Sequence, residues 1–259
     1  MNAVRPYLGY SSINSIETTF NSNYNSLQAS IQKRFSGNSQ FKVSYVYSKN
    51  LTNSGSDRSN APQNSYDFKS EYGLAPYDRR HVVTINYVYE LPFFKQQKSY
   101  LSYILGGWEI SGITQFQSGL PSEPSSALGT DPAGLGIVAS SSAVPRPDAV
   151  CNPNANALHT QSQWFNTSCF APVPAGQVRP GNSGTYVIQG PGLNVWNVSL
   201  FKNVKIRESV SFQLRGEFYN LFNHTNPNTF GTALGSSTYG QITAYRDPRI
   251  LQLGAKFYF

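Results

Sequence analysis

Charge is scarce in this chain. Only 13 % of its 259 residues are Asp, Glu, Lys or Arg, two are cysteine and one is methionine. Charged residues normally make up about a quarter of a soluble globular domain. No apolar run reaches the roughly 18 residues that mark a transmembrane helix. The Ala/Glu/Lys/Leu heptads of a coiled coil are missing as well. The start, Met1-Asn2-Ala3-Val4-Arg5-Pro6-Tyr7, is not a charged stretch leading into an apolar core, so it does not read as a signal peptide. What fills the chain instead is 17 Tyr, 16 Phe, 3 Trp, 21 Gly and 16 Pro, with abundant Ser, Asn, Gln and Thr. Mean hydropathy is nevertheless only −0.38. So many aromatics in long alternating segments argue against disorder. An all-β protein remains, either soluble or a barrel in an outer membrane. The formal charge is +7, but the basic residues are scattered, and the densest spots are the pairs Lys33-Arg34 and Arg79-Arg80. With no basic helix to enter a groove, no nucleic-acid partner is expected.

Period-2 alternation, the mark of a strand with two unlike faces, recurs seven times. In Ser26–Phe35, Leu27, Ala29, Ile31 and Phe35 oppose Ser26, Gln28, Ser30, Gln32 and Arg34. After the turn at 36–39, Phe41, Val43, Tyr45 and Tyr47 alternate with Lys42, Ser44, Val46 and Ser48. The third segment, His81–Leu91, puts Val83, Ile85, Tyr87 and Tyr89 on one face, and the fourth, Trp108–Gln117, does so with Trp108, Ile110, Gly112, Thr114 and Phe116. Val195–Lys202 and Val210–Tyr219 follow, and the chain ends on Leu251, Leu253, Ala255, Phe257 and Phe259 alternating with Gln252, Gly254, Lys256 and Tyr258.

The connections alternate in length. Short links (36–40, 92–107, 203–209) follow the first, third and fifth segments, and long ones (49–80, 118–194, 221–248) follow the second, fourth and sixth. A meander then gathers all short turns at one end and all long loops at the other, as in outer-membrane barrels. A soluble sandwich also alternates, but its structureless links rarely exceed about 15 residues. Aromatics also gather near the strand ends (Tyr45/Tyr47, Tyr87/Tyr89, Trp108, Trp196, Phe257/Phe259), as an interfacial girdle requires. Hydrocarbon tolerates only a closed ladder, and since every second residue meets lipid, mean hydropathy stays low. The reading is an antiparallel meander of seven, or eight, transmembrane strands. The basic exceptions on the lipid face, Lys33 and Lys202, fall at strand ends, where their stems can snorkel.

The last strand, Gln252-Leu-Gly254-Ala-Lys-Phe257-Tyr-Phe259, resembles the C-terminal assembly signal of bacterial outer-membrane barrels: a polar residue, a Gly, an apolar residue and a terminal aromatic. Further motifs keep the same company: Asn23-Tyr24-Asn25-Ser26-Leu27-Gln28, Val46-Tyr47-Ser48-Lys49, Tyr77-Asp78-Arg79-Arg80-His81, Gly106-Gly107-Trp108, Arg215-Gly216-Glu217-Phe218-Tyr219-Asn220-Leu221-Phe222-Asn223 and Asp247-Pro248-Arg249. Together and in order, these resemble the C-terminal part of TonB-dependent receptors of the Oar-like type. The resemblance implies a bacterial outer-membrane location, outer-membrane lipid and the barrel-assembly machinery as partners, and import of a small ligand or polymer. It also implies a plug, N-terminal strands and, through them, the TonB system, in the rest of a roughly 22-stranded receptor. Residues 1–22 read as the tail of an extracellular loop and 118–194 as a long extracellular loop, with no plug domain. The whole stretch is then a C-terminal barrel section, not competent for transport alone. Rival readings are a small complete barrel acting as an adhesin or structural protein, with residues 1–22 as an eighth strand, and a soluble secreted carbohydrate-binding β protein.

No enzyme is expected, and no cofactor. His81, His159 and His224 lie far apart, with no HExxH or Cys/His partner, and no GxSxG or P-loop follows a strand. Glu90, Glu109 and Glu217 fall on the presumed lumen side and read as lining charges near Arg215. Cys151 and Cys169 share a Pro/Asn/Ser-rich stretch and lack metal-ligand spacing, so they read as a disulfide closing that loop. Tyr66, Tyr72, Trp164 and Tyr186 lie in long loops and are candidate ligand contacts.

Overall fold

A computed structural model describes residues 17–259 apart from 36, 38, 56–61, 95–99, 137–144 and 208. Seven long strands form the meander: β1 (Ser22–Arg34), β2 (Gln40–Thr52), β3 (His81–Glu90), β4 (Trp108–Gln117), β5 (Leu193–Lys205), β6 (Ser211–Tyr219) and β7 (Ile250–Tyr258). Each pairs antiparallel with its neighbour in the chain, and the two-residue strand Gly73–Leu74 joins β2 as an eighth member. The strands are 9 to 13 residues long, and a tilted strand needs roughly 9–11 to cross the hydrocarbon. The sheet is open, with β1 and β7 as its edges.

The register brings the apolar sides of all seven strands onto one face. One row reads Ile31–Val43–Ile85–Thr114–Trp196, and the next Phe41–Tyr87–Gly112–Val198–Phe218–Leu251. Toward the short turns follow Tyr89–Ile110–Leu200–Gly216–Leu253 and Val204–Phe212–Phe257. A one-residue slip in any strand would have scrambled this face. The opposite face carries rows such as Arg34–Gln40–Val88–Ser111–Ser199–Glu217–Gln252. This polar face holds a hollow of about 410 Å³ lined by Asn86, Ser111, Asn197, Ser199 and Glu217. Glu90 and Glu109 are register partners there, and Arg215 lies 4.0 Å from Glu217.

The apolar face is bare: Ile31 is 74 % and Leu253 76 % exposed. The buried hydrophobic side chains of the described residues (Ala75, Phe165, Cys169, Phe170, Ile188, Ile242) lie in connections, none in the seven strands. Water would penalise such a wall and hydrocarbon would not. Gly112 opens the room that Tyr87 fills, since a Cβ there would lie 2.5 Å from the Tyr87 hydroxyl. The aromatic ring thus covers the backbone of its cross-strand partner.

The structure adjusts several boundaries. β1 begins at Ser22 rather than Ser26, because Ser22–Asn25 continue the ladder against Lys49–Thr52. It ends at Arg34, since Phe35 already donates its N–H to Ser39 O across the turn. β5 reaches from Leu193 to Lys205, held by pairs with Gln117 and Ser211, so the long loop spans 118–192. Of the expected loop tail at 1–22, residues 1–16 lie outside the described residues. The link after β3 contains an unforeseen helix, α1 (Tyr100–Leu105). Lys202 does not snorkel: it is buried, with its ammonium folded onto the carbonyls of Ile104 and Gly106 and over the Trp108 ring. Lys33 stays exposed, 5.2 Å from the Phe35 ring.

Candidate functional site

The three long connections, 53–80, 118–192 and 220–249, leave the same end of the sheet and fold together into a cap. Pro and Gly break the strand pattern there, so the cap consists of turns, two- to four-residue strands and the short 3-10 helices Phe68–Glu71 and Thr167–Cys169.

Its apolar centre is Phe165, Phe170 and Ile188, with Trp164, Val187, Phe230 and Tyr239 packed against them. Phe165 meets Phe170 edge-on at 6.1 Å and Tyr239 at 5.4 Å, an arrangement aromatic quadrupoles favour. The second and third connections share this centre and are tied through the backbone, Trp164 N to Gly240 O at 2.7 Å and Ile242 N to Gln161 O at 2.9 Å. Tyr239 donates its hydroxyl proton to Thr167 O at 3.1 Å, and burial pushes its pKa up to about 12. Cys151 and Cys169, 18 residues apart, are joined by a disulfide beside the strand pair Asp148–Ala149 and Phe170–Ala171.

The first and second connections meet at a buried ion cluster. Arg146 donates to both oxygens of Glu71, at 2.6 and 2.9 Å, and to Glu123 at 3.2 Å. Its backbone N–H donates to Gln63 Oε1, while Gln63 Nε2 donates to Gly181 O at 2.9 Å. Burial opposes the guanidinium charge, but the bonds and charge of Glu71, then Glu123, outweigh it and raise the Arg146 pKa. Burial also raises Glu123, and Arg146 only partly offsets this. Nearer the surface, Arg179 grips Asp148 through two bonds of 2.5 and 2.7 Å. Those bonds, with the Asn182 N–H, hold the Asp148 carboxyl below its usual range despite burial.

The structure distributes the four loop aromatics. Tyr66 is 91 % exposed and Tyr72 is exposed nearby in the same connection. Trp164 belongs to the apolar centre, donates its indole N–H to Gln189 O at 2.9 Å and packs on His159 at 4.8 Å. Tyr186 sits half-buried beside the ion cluster, with its pKa raised by burial and then by the charges of Glu123 and Glu71. The residues of the assembly-signal motif lie on and just beyond the edge strand β7. Gln252 pairs with Glu217, and Gly254 lies under the Arg215 stem, where a Cβ would come within 2.9 Å of Arg215 Cγ. Phe257 lies on the apolar face, with Phe259 97 % exposed beyond it. His81 bonds Tyr45 through Nδ1 at 2.9 Å, and His224 meets Phe222 edge-on at 5.9 Å. Among the described residues no three His, Cys, Asp or Glu side chains are grouped to hold a metal.

Sequence reasoning missed the Glu71–Arg146–Glu123 cluster. The available signal was Pro145-Arg146-Pro147, a charge pinned between two prolines in a long loop poor in charge.

No curated protein and no solved structure matches the chain. A family model described as an outer membrane beta barrel domain does match, over residues 1–252, and with the one-sided apolar wall and the loops gathered at one end, the chain belongs to that family and to the bacterial outer membrane.

Proposed function

We propose that the chain is the barrel-wall and extracellular-loop portion of a TonB-dependent receptor that binds a nutrient outside the cell and imports it with energy drawn from the inner membrane. In such barrels the long loops face outward and the short turns face the periplasm. The observation that carries the reading is strand direction. β1 and β7 both run from the long-loop end to the short-turn end. Joined to each other they would make a parallel ladder, whereas bacterial single-chain barrels close with an even number of antiparallel strands. An odd number of strands beyond the seven described ones is therefore needed, and a roughly 22-stranded receptor would supply about fifteen. The polar hollow supports a hydrated lumen, the cap supports an outer binding surface that includes Tyr66 and Tyr72, and the ordered motifs support the Oar-like type. Plug, remaining strands and TonB contact belong to the rest of the receptor, so this wall does not transport alone.

The test is cold SDS-PAGE of the chain refolded alone in detergent. It should give no compact band that shifts on boiling, while the same chain preceded by its missing strands should give one. A heat-modifiable band from the chain alone would refute the reading and leave a small complete barrel.

A further inference from the structure

The link between β3 and β4 carries two lysines, Lys95 and Lys98, and its described part has little cover. Phe93, Phe94, Tyr100, Leu101, Ile104 and Leu105 are 50 to 83 % exposed. Within α1, Tyr100–Leu105, only Ser102 is buried. A turn bathed in water has no reason to present six such side chains together.

The position of α1 explains them. Trp108 and Lys202 are register partners on the apolar face, at its short-turn end. The Trp108 indole N–H donates to Ile104 O at 3.1 Å. The Lys202 ammonium donates to the same carbonyl at 2.9 Å and also to Gly106 O. The C-terminal end of α1 is thus clamped over the lipid side of the wall, not beneath the lumen. The clamp also answers a cost. A lysine facing lipid is destabilising by about 2–4 kcal/mol at midplane and less toward the interface. Here the carbonyls that a helix end leaves without partners, with the Trp108 ring 5.3 Å away, take the place of water.

We propose that this link is a membrane anchor: α1 and Phe93-Phe94 insert into the interfacial zone of the periplasmic phospholipid leaflet, beside Trp108. The occupant follows from continuity, because the exposed side chains of α1 extend the apolar band that already meets lipid. The aromatic members suit the interface, where a ring can rest in the headgroup layer. The helix is about 9 Å long, enough to lie along the interface and far too short to cross.

Spin labelling tests this in the full-length outer-membrane protein in phospholipid vesicles. Nitroxides are placed singly at Leu101→Cys and Phe93→Cys, with Leu253→Cys on the apolar face and Tyr66→Cys in the cap as references. Oxygen, which concentrates in lipid, and a water-soluble nickel chelate compete for collisions. The expected ratio of oxygen to nickel collisions at positions 101 and 93 is several-fold above that at 66 and at or below that at 253, which lies deeper in the wall. A ratio like that at 66 would make the link an aqueous turn and overturn the proposal. Exclusion of both reagents would mean that protein covers the link, and would overturn it too. A water-like ratio at 253 itself would overturn the lipid placement of the whole wall along with it. A retained heat-modifiable band certifies that each labelled variant is folded.

Discussion

Replacing Arg146 should loosen the cap and leave the wall untouched. Its side chain is 1 % exposed and satisfies Glu71 twice, at 2.6 and 2.9 Å, and Glu123 once, at 3.2 Å. Arg146→Met keeps most of the stem volume but strands two carboxylates. Glu71 is nearly as buried as its partner, while Glu123 retains 22 % exposure and can recruit water. Removing one side of a buried pair costs about 3–5 kcal/mol. Because Glu123 is partly wet, we expect about 3, a factor of roughly 150 in the opening equilibrium. The double variant Arg146→Met/Glu71→Gln leaves a neutral amide in place of the stranded charge and should regain more than half of the loss. Hydrogen exchange reads this directly at the flanking amides, Ser126 N bonded to Pro145 O and Ser183 N bonded to Pro147 O. Those amides should exchange about a hundredfold faster in Arg146→Met, while amides in β3 and β4 keep their protection. Unchanged exchange at Ser126 and Ser183, or a double variant worse than the single, would refute the reasoning.

Four further outcomes follow from the same cap. Reducing Cys151–Cys169, or replacing both by Ala, should destabilise the cap by about 3 kcal/mol, as expected for a loop of this span, seen as faster proteolysis within 118–192 with unchanged strand protection. Glu123, whose pKa is raised in the fold, binds its proton more readily folded than unfolded, so the cap gains stability as pH falls from neutrality through that raised pKa; exchange at Ser126 should slow on mild acidification and lose that response in Glu123→Gln. Tyr239, held protonated up to about pH 12, should cost the cap up to about 2.7 kcal/mol as pH climbs from 10 to 12, a loss absent in Tyr239→Phe and measurable by cap exchange against ultraviolet titration. Gly119→Ala would put a Cβ 1.8 Å from Gly190 O; the backbone must part there, and Gly190 N should lose its protected bond to Leu120 O.

The wall was legible because a membrane strand writes its environment into every second residue. Leu27, Val43, Ile85, Ile110, Leu200, Leu214 and Leu253, taken from seven separate segments, fall on one continuous face once the ladder is built. No comparable period runs through the cap. Phe165, Phe170 and Ile188 come from turns and two-residue strands, and their partners Phe230 and Tyr239 from another connection. Arg146 reaches Glu71 across 75 positions of chain. Such contacts follow from closure in three dimensions, not from spacing. α1 escaped notice for a related reason: Tyr100–Leu105 is too short for a helical period and too uniformly apolar for an amphipathic one. Of the four aromatics expected to meet ligand, Trp164 and Tyr186 turned inward because their rings had a cap to fill, which the sequence around them did not disclose.

Two parts of one chain are thus held by different forces, and this bears on how the protein works. The wall buries no apolar side chain of its own among the described residues. Its ladder is fixed by hydrogen bonds that lipid makes obligatory, so the wall is rigid only inside a bilayer. The cap meets water and carries its own means of cohesion: an aromatic centre, a disulfide and a buried ion cluster, each bridging segments distant in sequence. A surface that must keep its shape outside the cell cannot borrow order from lipid, and loops this long would otherwise sample many shapes. Cross-linking the three connections to one another, and tying them to the strand ends through Gly73–Leu74 on β2, Asp78 on Asn50 and Asn226 on Asn194, lets the outer surface hold one form on top of the wall.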